Sequence, residues 1–167
     1  MDLPNRKHPR LKEYDYSQNG CYFITLCIKH RKRLLCTLNV GRDALIPPHP
    51  ALTSIGEIVN IFIQNINSVY SNVLVDNYVI MPNHIHMLIS IISPDMDGGM
   101  KASRPTLHTI IRSLKTMVTK QIGYYIWQDS YHDHIIRNEQ EYRKTWEYID
   151  TNPLKWEDDC YYSNPPK

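Results

Sequence analysis

The alternation of apolar and polar positions divides the chain into recognisable elements. Residues 21–29 read CYFITLCIK, an aromatic and β-branched run that predicts a strand. From Ser54 the pattern becomes helical. Ile55, Ile58, Val59, Phe62, Ile66 and Val69 recur at helical spacing, and Ser54 with Glu57 forms a capping-box pattern. Residues 73–81 and 84–92 predict two strands joined by a tight Pro82-Asn83 link. A second helix is expected over 106–122, with Leu107, Ile110, Ile111, Leu114, Met117 and Val118 as its apolar stripe and Arg112, Lys115 and Thr119 on its polar side. A short strand near His134-Ile135-Ile136 follows. Asn138 with Glu141 then marks a helix start and Pro153 its stop. The order strand, helix, strand, strand, helix, strand defines an α+β, ferredoxin-like βαββαβ single domain with one additional C-terminal helix.

Three stretches fall outside this pattern. Residues 1–20 read as a basic N-terminal arm, residues 30–51 as an irregular excursion or small hairpin, and residues 157–167 as a polar, aromatic-rich tail, so the catalytic-size domain spans 21–156. Ser93 to Gly99 reads as a flexible loop.

Composition narrows the class. A length of 167 residues with 42% hydrophobic and 22% charged positions is that of an ordinary globular domain. No apolar run approaches the roughly 20 residues that span a bilayer, and the opening residues lack a signal-peptide core. A cytoplasmic protein with no membrane partner is therefore expected. The four cysteines, at 21, 27, 36 and 160, make no metal-type CxxC pair and are expected to be packed free thiols, Cys21 and Cys27 on one strand face. The net charge is only +2, yet residues 1–42 hold nine Lys/Arg against three Asp/Glu, and residues 100–121 hold five and no acid. Such clustering suits an anionic partner.

Two features carry chemistry. His84-Ile85-His86 lies in a strand, where residues i and i+2 share a face, so both imidazoles stand side by side while Ile85 points into the opposite layer. A pair so placed can share a divalent cation or be two strand histidines without a ligand. His132-Asp133-His134 is a rival pair, read as a second metal site or as a wet, DNA-contacting position. In the last helix, Tyr142, Trp146 and Ile149 form the stripe expected to face the core. Tyr148 points about 120° from it and Asn152 lies about 40° round the same flank. A phenol beside an amide suits a nucleophile whose neighbour helps hold a metal, although an off-core tyrosine is also an ordinary surface residue.

At this point the residues resemble a known group. MPNHIHMLI resembles the HUH motif (histidine, hydrophobe, histidine) of single-tyrosine transposases. The segment from Ile126-Trp127-Gln128 through His134-Ile135-Ile136-Arg137 to WEYIDTNPLKW is similar to the C-terminal block of the REP-associated tyrosine transposases, relatives of the small insertion-sequence transposases. Tyr14-Asp15-Tyr16-Ser17 followed by GCYFITLCIKHRK is similar to that family's N-terminus, so the likeness runs from about residue 8 to 162. The resemblance implies an enzyme that cuts and rejoins single-stranded or hairpin-flanked DNA through a covalent 5′-phosphotyrosine. It puts the nucleophile at Tyr148, the metal on His84 and His86 with Asn152 as third ligand, and Mg²⁺ or Mn²⁺ as the cofactor. Arg6, Lys7, Arg10, Lys12, Arg112 and Lys115 are candidate phosphate contacts. Trp127 is a base-stacking candidate or a core residue. The oligomeric state stays open between monomer and homodimer. The competing functions are a domesticated, non-catalytic regulator that binds hairpin DNA and a plasmid-type replication initiator.

Overall fold

A computed structural model describes residues 15–16, 18–38, 50–92 and 105–162. Strand β1 (Gly20–Cys27) leads through a 3-10 turn (Lys29–Arg31) into the short strands β2 (Cys36–Leu38) and β3 (Pro50–Leu52). Helices α1 (Ser54–Gln64) and α2 (Ile66–Val69) precede strands β4 (Val73–Ile80) and β5 (His84–Ile91). Helix α3 (Leu107–Ile122), strand β6 (His132–Ile136) and helix α4 (Glu139–Thr151) follow, and a 3-10 segment (Asn152–Asp158) continues directly from α4. Four strands form one antiparallel sheet in the order β4-β5-β1-β6, the ferredoxin-like arrangement the alternation predicts. β2 and β3 pair with each other as a separate hairpin, which resolves the excursion after β1.

Alternation divides this sheet chemically. Tyr22, Ile24 and Leu26 of β1, with Ile85, Met87 and Ile89 of β5, are fully buried against Val59 and Ile63 of α1 and Ile110, Ile111 and Val118 of α3. The opposite face carries Thr25 and Cys27 of β1 opposite His86 and His84 of β5, and is covered by α4 through Ile149 against Leu88. Cys21 and Cys27 share this second face, and all four cysteines are free thiols.

Several local expectations shift. The cap of α1 is Thr53, not Ser54: its hydroxyl accepts from Gly56 N at 3.1 Å and donates to Leu34 O at 2.6 Å, so it ties the helix start to the β2 approach. Gly56 is required by that closeness, because a Cβ there would lie 2.0 Å from Leu35 O. Met117 sits at the rim of the α3 stripe and is 44% exposed. Asn138 caps α4 as expected, accepting from Glu141 N at 2.8 Å. The stripe that α4 turns inward is Tyr142, Thr145, Ile149 and Asn152; Trp146, expected in the core, is 37% exposed beside Tyr142. Residues 157–162, expected as part of a polar tail, do not run free in solvent. Trp156 and Tyr161 are buried, and the chain folds back onto the histidine-bearing face. Arg6, Lys7, Arg10, Lys12 and the Ser93–Gly99 stretch lie outside the described residues. Among the described residues, no helix is long and apolar enough to cross a membrane.

Candidate metal and tyrosine site

The β4–β5 link brings the chain sharply round so that β5 begins on His84. Asn83 is the fastening residue. Its backbone carbonyl accepts from Ile28 N at 2.9 Å, and its side-chain Nδ2 donates to Tyr161 O at 2.8 Å and Arg31 O at 3.3 Å. With the amide nitrogen so committed, Oδ1 is the atom left to meet His84 Nδ1, 2.9 Å away. An amide oxygen only accepts, so Nδ1 of His84 carries the proton and Nε2 holds a lone pair. His86 Nδ1 pairs likewise with Thr25 Oγ1 at 2.9 Å.

The two Nε2 atoms therefore face each other, 3.1 Å apart, with both side chains essentially inaccessible. Burial and the Arg31 guanidinium push the His84 imidazole down to about 3. Burial and the neighbouring His84 hold His86 well below its ordinary range. Both rings are neutral at ordinary pH, which is the ligand form of imidazole. Two nitrogens about 2.1 Å from one ion and at right angles are about 3.0 Å apart, close to the separation found.

Helix α4 and its 3-10 extension supply the rest. Asn152 is buried, and its Nδ2 donates to Asp159 Oδ2 at 2.9 Å. Its Oδ1 is buried without a hydrogen-bond partner among the described residues. An orphaned amide oxygen costs about 1–3 kcal/mol, which a cation would relieve. Asp159 itself reaches within 3.8 Å of His84 Nε2, its side chain only 2% exposed. Its other oxygen accepts from Tyr161 N at 2.7 Å. His84, His86 and Asp159 offer ligand atoms within 4.8 Å of one another. With the Asn152 oxygen the donor set is two imidazoles and two oxygens, a mixture that fits a borderline divalent ion such as Mn²⁺.

Tyr148 borders this cluster. Its hydroxyl lies 3.4 Å from His86 Nε2, and its ring meets His86 at 5.2 Å and Phe23 edge-on at 5.9 Å. The residue is 40% exposed, so a large substrate can reach it. Burial, then the Asp159 carboxylate, raises the phenol to about 12, while a hydrogen bond with Asn152 opposes the shift. The α4 geometry read from the sequence thus holds for Tyr148 and Asn152, which share one end of the helix.

Other expected positions fall elsewhere. Trp127 is completely buried, with Nε1 donating to Lys115 O at 3.3 Å, so its ring offers no face to a base. Lys115 is also buried. Its ammonium donates to Gln128 O at 2.7 Å and Ser130 O at 3.3 Å, so it holds the loop before β6 rather than standing ready for a phosphate. Arg112 remains exposed on α3. In the rival pair, His134 is exposed and engaged by Glu141 at 2.5 Å. His132 is exposed on the edge strand, and neither belongs to a group of ligands.

Asp159, Asn83, Thr25 and Tyr161 were not among the expected site residues. The signals were slight: a lone hydroxyl in an apolar strand, an amide immediately before the histidines, and an aromatic inside an acidic terminal stretch. Arg31 and Arg33 explain why that stretch is held. Arg31 donates to Cys160 O at 2.8 Å and lies over Tyr161 at 5.4 Å, and Arg33 lies over Trp156 and Tyr162 at 5.5 and 5.0 Å. His30 and Arg31 adopt positive φ, 58° and 52°, a conformation uncommon outside glycine that turns the basic run toward this segment.

This sheet, with helices α1 and α3 on one face and α4 on the other, is similar in fold to a REP-associated tyrosine transposase. A solved REP-associated tyrosine transposase bound to a REP hairpin superposes with a TM-score of 0.62 over 87% of this chain and 73% of that one, at 22% identity. In sequence, the chain is 33% identical over 178 aligned residues to an uncharacterised protein of Haemophilus influenzae, across 96% of this chain and 94% of that protein. The chain belongs to the family of that Haemophilus protein. No protein-family model matches it.

Proposed function

We propose that this protein is a divalent-metal-dependent DNA strand transferase that cleaves and rejoins single-stranded or hairpin-flanked DNA through Tyr148. The observation that supports it most is the meeting of an accessible tyrosine hydroxyl with a buried His84/His86/Asn152/Asp159 cluster whose amide oxygen lacks a partner. The structural neighbour, a transposase carrying a hairpin, supports the same substrate class.

His84 Nε2, His86 Nε2 and Asn152 Oδ1 would hold the cation, with Asp159 as an adjoining carboxylate. When bound, the cation draws charge from the phosphate oxygens that otherwise repel a nucleophile. The residues do the remainder. Asn83 and Thr25 fix the two rings through their Nδ1 atoms, so both Nε2 lone pairs are presented without reorganisation. Phe23 and His86 seat the Tyr148 ring, and the phenol proton passes to solvent, which returns a proton to the departing 3′ oxygen. The phenolate oxygen forms a bond to phosphorus as the bond to the 3′ oxygen breaks, leaving a 3′-OH and a 5′-phosphotyrosine. A second 3′-OH reverses the step on another strand, and the phosphotyrosine bond supplies the energy, so no nucleotide cofactor is needed.

The test is incubation of the protein with labelled hairpin DNA and Mn²⁺, read on a denaturing gel. Wild type should form a covalent protein–DNA adduct, and Tyr148→Phe should reduce it below detection while DNA affinity changes less than about twofold. Binding without any adduct in the wild type would establish the regulator reading instead. An adduct surviving in Tyr148→Phe would move the nucleophile elsewhere.

A further inference from the structure

On the α3 side of the sheet, across from the face that carries Tyr148, lies a second concavity that the proposed chemistry does not use. It is a cleft of about 410 Å³ between the outer side of α3 and the loop that leads into β6. Its lining is basic, with Arg112, Lys115 and Lys120 against the single carboxylate of Asp129. The Lys115 charge is taken up by loop carbonyls and Asp129. Arg112 and Lys120 are exposed, and among the described residues neither makes an ion pair. They stand eight residues apart on the helix, roughly 12 Å of rise, and so address separate phosphates rather than one. The opposite wall carries the rings of Tyr125, 48% exposed, and Tyr131.

Position ties this cleft to the site. Its loop wall hangs from the end of β1, where Gln128 N donates to Cys27 O at 2.9 Å, and Cys27 is the register partner of His84. A strand held at both places would pass round that end of the sheet from one face to the other. We propose that the cleft takes an unpaired stretch of the DNA, with separate phosphates on Arg112 and Lys120 and a base against the Tyr125 ring. Cations spaced along a helix beside an exposed aromatic are the combination that captures a single strand without reading duplex. This inference rests on DNA being the substrate, and it assigns the strand a second hold away from Tyr148.

Fluorescence anisotropy with a fluorescein-labelled twenty-residue thymidine strand, measured from about 50 to 300 mM salt, separates the outcomes. Arg112→Gln and Lys120→Gln should each flatten the slope of log K against log salt by about 0.7, the value for one phosphate contact on a single strand. Tyr125→Ala should weaken binding about 5- to 150-fold, and Tyr125→Phe should restore it. These side chains are exposed, and circular dichroism confirms that each variant is folded. Unchanged slopes and affinity in all the variants, with normal wild-type binding, would overturn the cleft assignment and leave the strand-transferase reading intact. Equal losses in Tyr125→Ala and Tyr125→Phe would also overturn it, since stacking needs only the ring. Wild type that binds neither this strand nor a labelled hairpin would overturn both readings.

Discussion

Along β5 the two faces of the central sheet hold equally inaccessible side chains for opposite reasons. On one face Ile85, Met87 and Ile89 are fully inaccessible and make purely apolar contacts with α1 and α3. On the other, His84 and His86 are as inaccessible, yet each ring nitrogen has a polar neighbour within 3.1 Å: Asn83, Thr25 or the other histidine. The apolar face is stabilised by leaving water, about 25 cal/mol per Å² of apolar surface buried. The polar face loses solvation and recovers it only through placed partners, so it is organised to do something other than hold the fold. Among the described residues, the Asn152 oxygen is the group on this face left without a hydrogen-bond partner.

Adjacent residues of β5 offer the sharpest break of this comparison. Ile85→Ala should cost about 2–5 kcal/mol in denaturant unfolding, by lost transfer energy and a cavity. His86→Ala should abolish any Mn²⁺-induced rise in melting temperature, whereas wild type gains stability with cation concentration as mass action requires. Equal Mn²⁺ response in His86→Ala would remove that residue from the ligand set. Next in size, Gly56→Ala should lower stability by about 3 kcal/mol, because the methyl would meet the Leu35 carbonyl, which belongs to backbone and cannot swing aside. That corresponds to a melting shift of roughly 6–12 °C for a chain of this length, with metal affinity unaltered. A wild-type melting temperature in that variant would mean the α1 start is not so closely packed.

Asn152→Ala removes the oxygen and should weaken Mn²⁺ binding, measured by calorimetry, and should also cost about 1.5–3 kcal/mol in metal-free unfolding, because the buried Asp159 carboxylate loses its Nδ2 hydrogen bond. Unchanged Mn²⁺ affinity in this variant would show that Asn152 acts only through its Nδ2 link to Asp159. The smallest effect is expected from Thr25→Val, which keeps shape and deletes the partner of His86 Nδ1. Metal affinity should fall about tenfold, the lower end for an outer-shell hydrogen bond, and stability by about 1 kcal/mol. Together these variants separate residues that make the fold from residues that the fold pays to position.

Much of the arrangement is local physics and is therefore legible along the chain. A strand alternates its side chains by its pleat, so His84 and His86 had to share a face and Ile85 had to leave it. A helix advances about 100° per residue, so Tyr148 and Asn152 had to lie on one flank. The strand and helix order then leaves few topologies, and the ferredoxin-like one is observed. What depends on which element lies against which was decided only in three dimensions. Asp159 and Tyr161 read as tail because nothing local holds them. Arg31, Arg33 and Asn83, from 76 or more residues earlier in the chain, fasten that segment over the histidines. Lys115 read as a phosphate contact, and Trp127 as a stacking or core residue, because composition cannot report exposure; both are buried where α3 meets the loop before β6. The amino-acid order by itself determined the paired histidines and the tyrosine helix. The tertiary structure decided that they meet, and added a carboxylate to them, because contacts distant in sequence are set by how the faces pack and not by periodicity.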